Sequence, residues 1–140
     1  MPACTVLSLE TAAYRGVRVQ LLVPAWTDHR IALWAGRSYY RELCAAGVEI
    51  YEYQSGFLHS KLVIVDEDWA MIGSANMDER SFRLNFELTT VLYAHSASLH
   101  MQAEFDDMLR QAERIVPEQL PDSLGISLLL GMARVVSPMY

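Results

Sequence analysis

A single lysine, Lys61, stands among ten arginines in this chain, and it leads directly into the apolar run Leu62-Val-Ile-Val65. An uninterrupted apolar run of this length, rich in β-branched residues, is a strand covered on both faces. An unpaired cation at its head would be costly, so the fold must bring Lys61 a partner or a polar opening. The residues around it are regularly placed. His59-x-Lys61 is followed after four residues by Asp66, and after six more by Gly73-Ser74-x-Asn76; the pattern occurs once. Residues two apart on a strand share a face, so a strand over residues 58–65 would project His59 and Lys61 in the same direction.

An imidazole beside an ammonium suits a phosphodiester. Lys61 would hold a nonbridging oxygen while His59 sits within attacking distance of phosphorus. Gly73 lets the backbone approach closely, and Ser74 and Asn76 offer neutral donors for phosphate oxygens. Asp66 lies seven residues from His59, on the opposite strand face and at the strand's end, which assigns it to ordering the turn Asp66-Glu67-Asp68. A nucleophilic histidine must be neutral with one ring nitrogen exposed, so an acceptor should hold the other. Glu87, flanked by Phe86 and Leu88, is the carboxylate best placed in sequence for that part. Bland alternatives exist for each residue alone (for Glu87, a surface glutamate on a strand edge). The whole set at this spacing is much harder to explain so.

Along the chain, residues 5–15 read as a helix closed by Gly16, and 17–23 as a strand stopped by Pro24. Asp28 is expected to cap a helix over 31–46, with Gly47 as its breaker. Strands follow at 48–53, 58–65, 69–72 and 87–93, with a helical turn at 78–83 and a long helix from Ser96 to about residue 116. Strands alternating with helices predict an α/β fold, a mixed β-sheet flanked by helices on both faces. Residues 1–116 form the expected domain. Pro117 to Pro121 is the only break in composition, and residues 122–136 beyond it could be an amphipathic helix, either packed on the body or lying in a membrane interface.

Composition narrows the partners. The formal charge of −6 argues against gripping nucleic acid through the overall field, although an acidic body can carry a basic cleft. Cys4 and Cys44 lack ligand spacing and read as small core residues of a reduced protein. No His/Cys/Asp/Glu cluster has metal-ligand spacing and no Gly-rich nucleotide loop is present, so neither metal nor cofactor is expected. No secretory signal is visible, and no stretch reaches the ~20 apolar residues that span a bilayer. His29 and Arg30 follow the C-terminal end of a strand, where ligands gather in open α/β sheets, and are candidates for a headgroup. His95 and His100 are expected to be solvated.

The run His59 to Asn76 resembles the catalytic signature of the phospholipase D superfamily. Joined to Asn76-Met-Asp-Glu-Arg-Ser-Phe82 and on to Glu87, it resembles the second catalytic half of bacterial cardiolipin synthases. The likeness extends to Arg15-Gly-Val-Arg-Val-Gln-Leu-Leu-Val-Pro24, Ser38-Tyr-Tyr-Arg-Glu-Leu43, Ala46-Gly-Val-Glu-Ile-Tyr51 and the terminal Ser137-Pro138. The resemblance implies a phospholipase D-like half-domain and a metal-independent phosphatidyl transfer. One histidine attacks phosphatidylglycerol and becomes phosphorylated, the histidine of a second motif protonates the departing glycerol, and a second phosphatidylglycerol completes cardiolipin. Asp66 belongs to the implied catalytic set with His59, Lys61 and Glu87. Lys61 and Asn76 match phosphate-binding positions, Ser74 assists, and Glu87 matches the carboxylate that orients His59.

That resemblance also implies a phospholipid substrate and a peripheral place on the cytoplasmic face of the cell membrane. Family members carry N-terminal membrane segments and a first catalytic half, which this sequence does not contain, and the opening Met1-Pro-Ala-Cys-Thr-Val6 fits them poorly. Three readings stay open. The chain is an enzyme completed by a second copy, with His59 and its symmetry mate facing one phosphate. It is a single-motif phosphodiesterase or nuclease. Or it is a non-catalytic truncated half that docks onto a chain bearing the other motif.

Overall fold

The computed structural model describes residues 1–117, together with Leu120, Gly131 and Met132. Its elements run α1 (Ala3–Tyr14), β1 (Gln20–Pro24), α2 (Arg30–Arg37), α3 (Tyr40–Ala45), β2 (Glu49–Tyr53), β3 (Lys61–Val65), β4 (Trp69–Gly73), α4 (Glu79–Arg83), β5 (Thr89–Leu92), α5 (His95–Leu109) and β6 (Ala112–Ile115). The expected α/β class holds, but the strands divide into two three-stranded sheets of order β1-β2-β6 and β3-β4-β5. β1 and β2 are parallel, and every other pairing is antiparallel.

The first sheet carries the core. Val6, Tyr39, Tyr40, Leu43, Val48 and Ile50 form one buried cluster, joining α1 and α3 to the face of β2. On β2, Ile50 and Glu52 are both buried. A buried carboxylate must be paired, and Arg37 meets it with two 2.8 Å hydrogen bonds, while Tyr40 Oη donates a third at 2.9 Å. Burial above all, then the charge of Glu52, pushes the Tyr40 phenol well above its ordinary value.

Several expected boundaries move for local reasons. The helix expected over 31–46 breaks after Arg37: Ser38 Oγ bonds back to Ala35 O at 2.6 Å and Tyr39 N tightens onto Gly36 O at 3.1 Å, so α3 starts afresh with Tyr39 and Tyr40 turned into the core. Asp28 does not cap α2. Its carboxylate accepts from Thr27 Oγ1 at 3.0 Å, and the N-cap position is His29, which has no side-chain cap. The helix expected to reach residue 116 ends at Leu109. Residues 112–115 instead pair with β2, giving its open edge a second neighbour and setting Ile115 against the core. Gly16 (φ 86°) and Gly47 (φ 99°) close α1 and α3 in the left-handed conformation that glycine adopts without strain. Cys4 is exposed rather than in the core, Cys44 is half-buried, and both are free thiols. The helix expected over residues 122–136 lies outside the described residues, apart from Gly131 and Met132.

The second sheet is pinned by Gly73. It sits between Lys61 and Thr89 across three strands. A Cβ there would lie 2.4 Å from Leu88 O and 2.9 Å from Thr89 Oγ1. Gly73→Ala must therefore part β4 from β5, and a loss of roughly 2–3 kcal/mol is expected in denaturant unfolding. Gly36, in α2, has open space around its Cβ position. Gly36→Ala should raise stability by about 0.5–1 kcal/mol in the same measurement.

Candidate active site

The hairpin β3–β4 delivers the two halves of the sequence pattern to one end of the second sheet. Its turn is tight: Asp66 (φ 51°) and Glu67 (φ 59°) are both left-handed, and Asp68 N bonds Val65 O at 3.0 Å. Asp tolerates that conformation better than most residues and Glu poorly, so Asp66 is suited to the first turn position. Asp66 thus lies at the far end of β3 from Lys61, and the turn is latched by His95, whose Nδ1 is 3.0 Å from Glu67 O. His95 is exposed, as expected, but it has this protein partner.

At the near end, register sets Lys61 opposite Gly73, with Ser74 next along the chain. His59 falls two residues before β3 begins, outside the strand. It is joined to Lys61 by a different device from a shared strand face: Lys61 Nζ donates to the His59 carbonyl at 2.8 Å. The His59 ring is exposed and stacks on Phe57, with ring centroids 5.5 Å apart and planes at 15°.

Ser74 and Glu87 come together although thirteen residues separate them. Ser74 Oγ donates to Glu87 Oε2 at 2.5 Å and accepts from Leu88 N at 3.0 Å, while Ser74 N bonds Leu88 O at 3.0 Å. Asn85 Nδ2 donates to the other carboxylate oxygen, Glu87 Oε1, at 3.2 Å. The Ser74 hydrogen bond first, then Ser81, Asn85 and the Lys61 charge, hold the Glu87 carboxyl below its ordinary range. Partial burial pushes the Lys61 ammonium below its usual value, against the opposing pull of Glu87 and Asp78. The carboxylate expected to accept from His59 is thus engaged by Ser74 and Asn85 and lies in the field of Lys61. Among the described residues no hydrogen bond joins Glu87 to His59.

Asn76 is exposed on the loop beyond Ser74. That loop is held by a residue sequence reasoning missed. Ser81, buried in α4, accepts from Asn76 N at 3.0 Å, and its own backbone N–H bonds the N-cap Asp78 Oδ1 at 2.8 Å. The signal was present: Asp three residues before Ser, ahead of a short helix, is an N-cap pattern. His29 and Arg30 lie at the start of α2, where Arg30 packs over the Trp34 ring at 5.4 Å. Among the described residues, no three His, Cys, Asp or Glu side chains are grouped so as to hold a metal ion.

Comparison with known proteins bears on this arrangement. A family profile described as "Cardiolipin synthase, PLD-like domain" matches residues 3–109. Cardiolipin synthase 2 of Bacillus cereus is 49% identical over 116 residues, covering 82% of this chain and 23% of that protein. Cardiolipin synthase of a Geobacillus species is 44% identical over 133 residues, covering 94% and 26%. Cardiolipin synthase A of Pseudomonas putida is 42% identical over 132 residues, covering 94% and 28%. The chain thus spans about a quarter of the length of these relatives. The crystal structure of Nuc, a phospholipase D family member from Salmonella typhimurium, superposes with a TM-score of 0.68 at 18% identity, covering 82% of this chain and 75% of that one. That last likeness is one of fold.

The bond from Ser74 makes Glu87 a test of the site. A carboxylate whose folded value is depressed adds stability above its unfolded value, lost as the pH falls through the folded one. Ser74→Ala should move Glu87 up toward the ordinary carboxylate range in a ¹³C NMR titration. Glu87→Gln should flatten the part of the acid-unfolding curve that lies between those two values.

Proposed function

The chain belongs to the family of phospholipase D-like domains found in cardiolipin synthases, and from that membership we propose that it is a phosphatidyltransferase of the cardiolipin synthase type. The observation that carries this reading is the grouping of Lys61, Ser74 and Glu87 at one sheet end, with the backbone carbonyl of His59, whose ring is exposed, bonded to Lys61. A phosphodiester seated there would place nonbridging oxygens against the Lys61 ammonium and the donors Ser74 and Asn76.

An imidazole nitrogen of His59 attacks phosphorus of phosphatidylglycerol. The P–N bond forms as the bond to the glycerol oxygen breaks, and that oxygen takes a proton from an opposing histidine. The hydroxyl of a second phosphatidylglycerol then attacks, gives its proton to the opposing imidazole and releases His59, leaving cardiolipin and glycerol. Asp66 contributes by fixing the hairpin that carries this end of the sheet, and no metal or cofactor enters any step.

The opposing histidine comes from outside the single motif, and a second copy of the chain is its proposed source. The end of α4 and the segment leading to β5 support a covered face here. Phe82, Leu84, Phe86 and Leu88 are all well exposed beside Glu87, far more apolar surface than scattered single residues present. A chain bearing the other motif is the alternative source. The chain would act at the cytoplasmic face of the membrane as a peripheral protein, and no helix of the described residues is long and apolar enough to cross a membrane.

Incubation with phosphatidylglycerol in detergent should yield cardiolipin and a phosphatidyl adduct on His59 detectable by peptide mass. His59→Ala should lose the adduct and on the order of 10⁴-fold or more in kcat. Turnover that survives in His59→Ala defeats the proposal. Cleavage of oligonucleotides without lipid conversion points to the nuclease reading instead. A monomer active only when mixed with a chain bearing the other motif points to the truncated half.

A further inference from the structure

We infer that Phe57, backed by Trp26, is the positioning residue that sets the orientation of the His59 ring; this rests on the reading of His59 as the nucleophile. His59 stands outside β3, on an exposed segment without ladder hydrogen bonds of its own, so strand geometry does not fix its side chain. Glu87, the carboxylate suited to hold it, is bound by Ser74 and Asn85. What meets the imidazole face is Phe57, nearly parallel to it at 15° and 5.5 Å between centroids. Offset stacking of this kind restrains an aromatic ring and leaves both imidazole nitrogens at its edge, open to a phosphorus centre and to an acceptor.

The stack continues to a rigid base. Trp26 packs on Phe57 with centroids 5.9 Å apart, tilted by 53°. Trp26 directly follows Ala25, which is held on both sides: its N–H bonds Tyr53 O at 3.1 Å, and its carbonyl accepts from Arg37 Nη2 at 3.2 Å. Arg37 is itself clamped by the buried Glu52. A chain of contacts therefore leads from the core of the first sheet, through Ala25, Trp26 and Phe57, to a histidine at the edge of the second. Trp26 and Phe57 are 52% and 54% exposed, so the pair presents an aromatic surface next to the exposed His59 ring.

The test uses imidazole NMR of the whole chain, with the His59 signals among the four histidines identified by their loss in His59→Gln. In the wild type, the Phe57 ring current should displace the His59 ring protons from the positions of exposed histidines. Phe57→Leu should return them to those positions and lower kcat for phosphatidylglycerol roughly 3- to 10-fold with little change in KM. Phe57→Tyr should restore both. Trp26→Leu should give a smaller shift in the same direction. Should Phe57→Leu leave the His59 signals where they were, or shift them with kcat unchanged, the positioning role is overturned. A fall in kcat that Phe57→Tyr does not restore overturns it too. The shifts are read without lipid, so a wild type that turns over no phosphatidylglycerol sinks the proposed reaction while the stack stands or falls on the NMR signals.

Discussion

The second sheet and its site depend on the missing side chain at Gly73. Strands β4 and β5 close to a separation at which any Cβ would meet the backbone of Leu88 and Thr89. Only at that separation can Ser74 bond Leu88 in both directions, through its backbone N–H and through its hydroxyl. Glu87 immediately precedes Leu88 and is thereby carried to the Ser74 hydroxyl. Opposite, the same row places Lys61. Cation, hydroxyl and carboxylate are gathered by one close approach, and none of the three needs a long loop to reach the others.

Much of this was legible beforehand because it rests on local rules. The apolar run after Lys61, the polar turn at Asp66 and the glycine ahead of Ser74 each have a short-range cause. So do the helix stops at Gly16 and Gly47. The features that escaped are tertiary. Residues 112–115 continue a helical pattern in sequence, but β2 had an unpaired edge and Ile115 a place against the core, and those decided the matter. The division into two sheets follows from which strand edges find partners, which no single segment encodes. The Arg37–Glu52–Tyr40 cluster, built on the buried Glu52 and Tyr40, joins α2, α3 and β2, and in sequence its members look like ordinary surface charges and an aromatic. The strand expected over residues 58–65 includes His59. The chain enters the sheet only at Lys61, so the histidine gains an aromatic neighbour instead of a strand face.

The single lysine acquires a physical meaning beside the ten arginines. Arg18 and Arg114 converge on Glu49, Arg37 grips Glu52, Arg83 pairs with Glu79 and Arg110 with Asp107. Guanidinium groups bind carboxylates through two fixed donors, which suits permanent structural pairs. An ammonium is a compact point charge whose donors can turn. Lys61 bonds a neutral carbonyl, while the carboxylates of Glu87 and Asp78 act on it through the field alone. A cation held in that way can exchange its carbonyl for a phosphate oxygen without first breaking a direct ion pair. Because the displaced carbonyl is that of His59, loading the lysine would also loosen the backbone of the proposed nucleophile at the moment of attack. The ring would then depend for its alignment on contacts that do not pass through Lys61. The stack on Phe57 is such a contact, anchored through Trp26 to the other sheet.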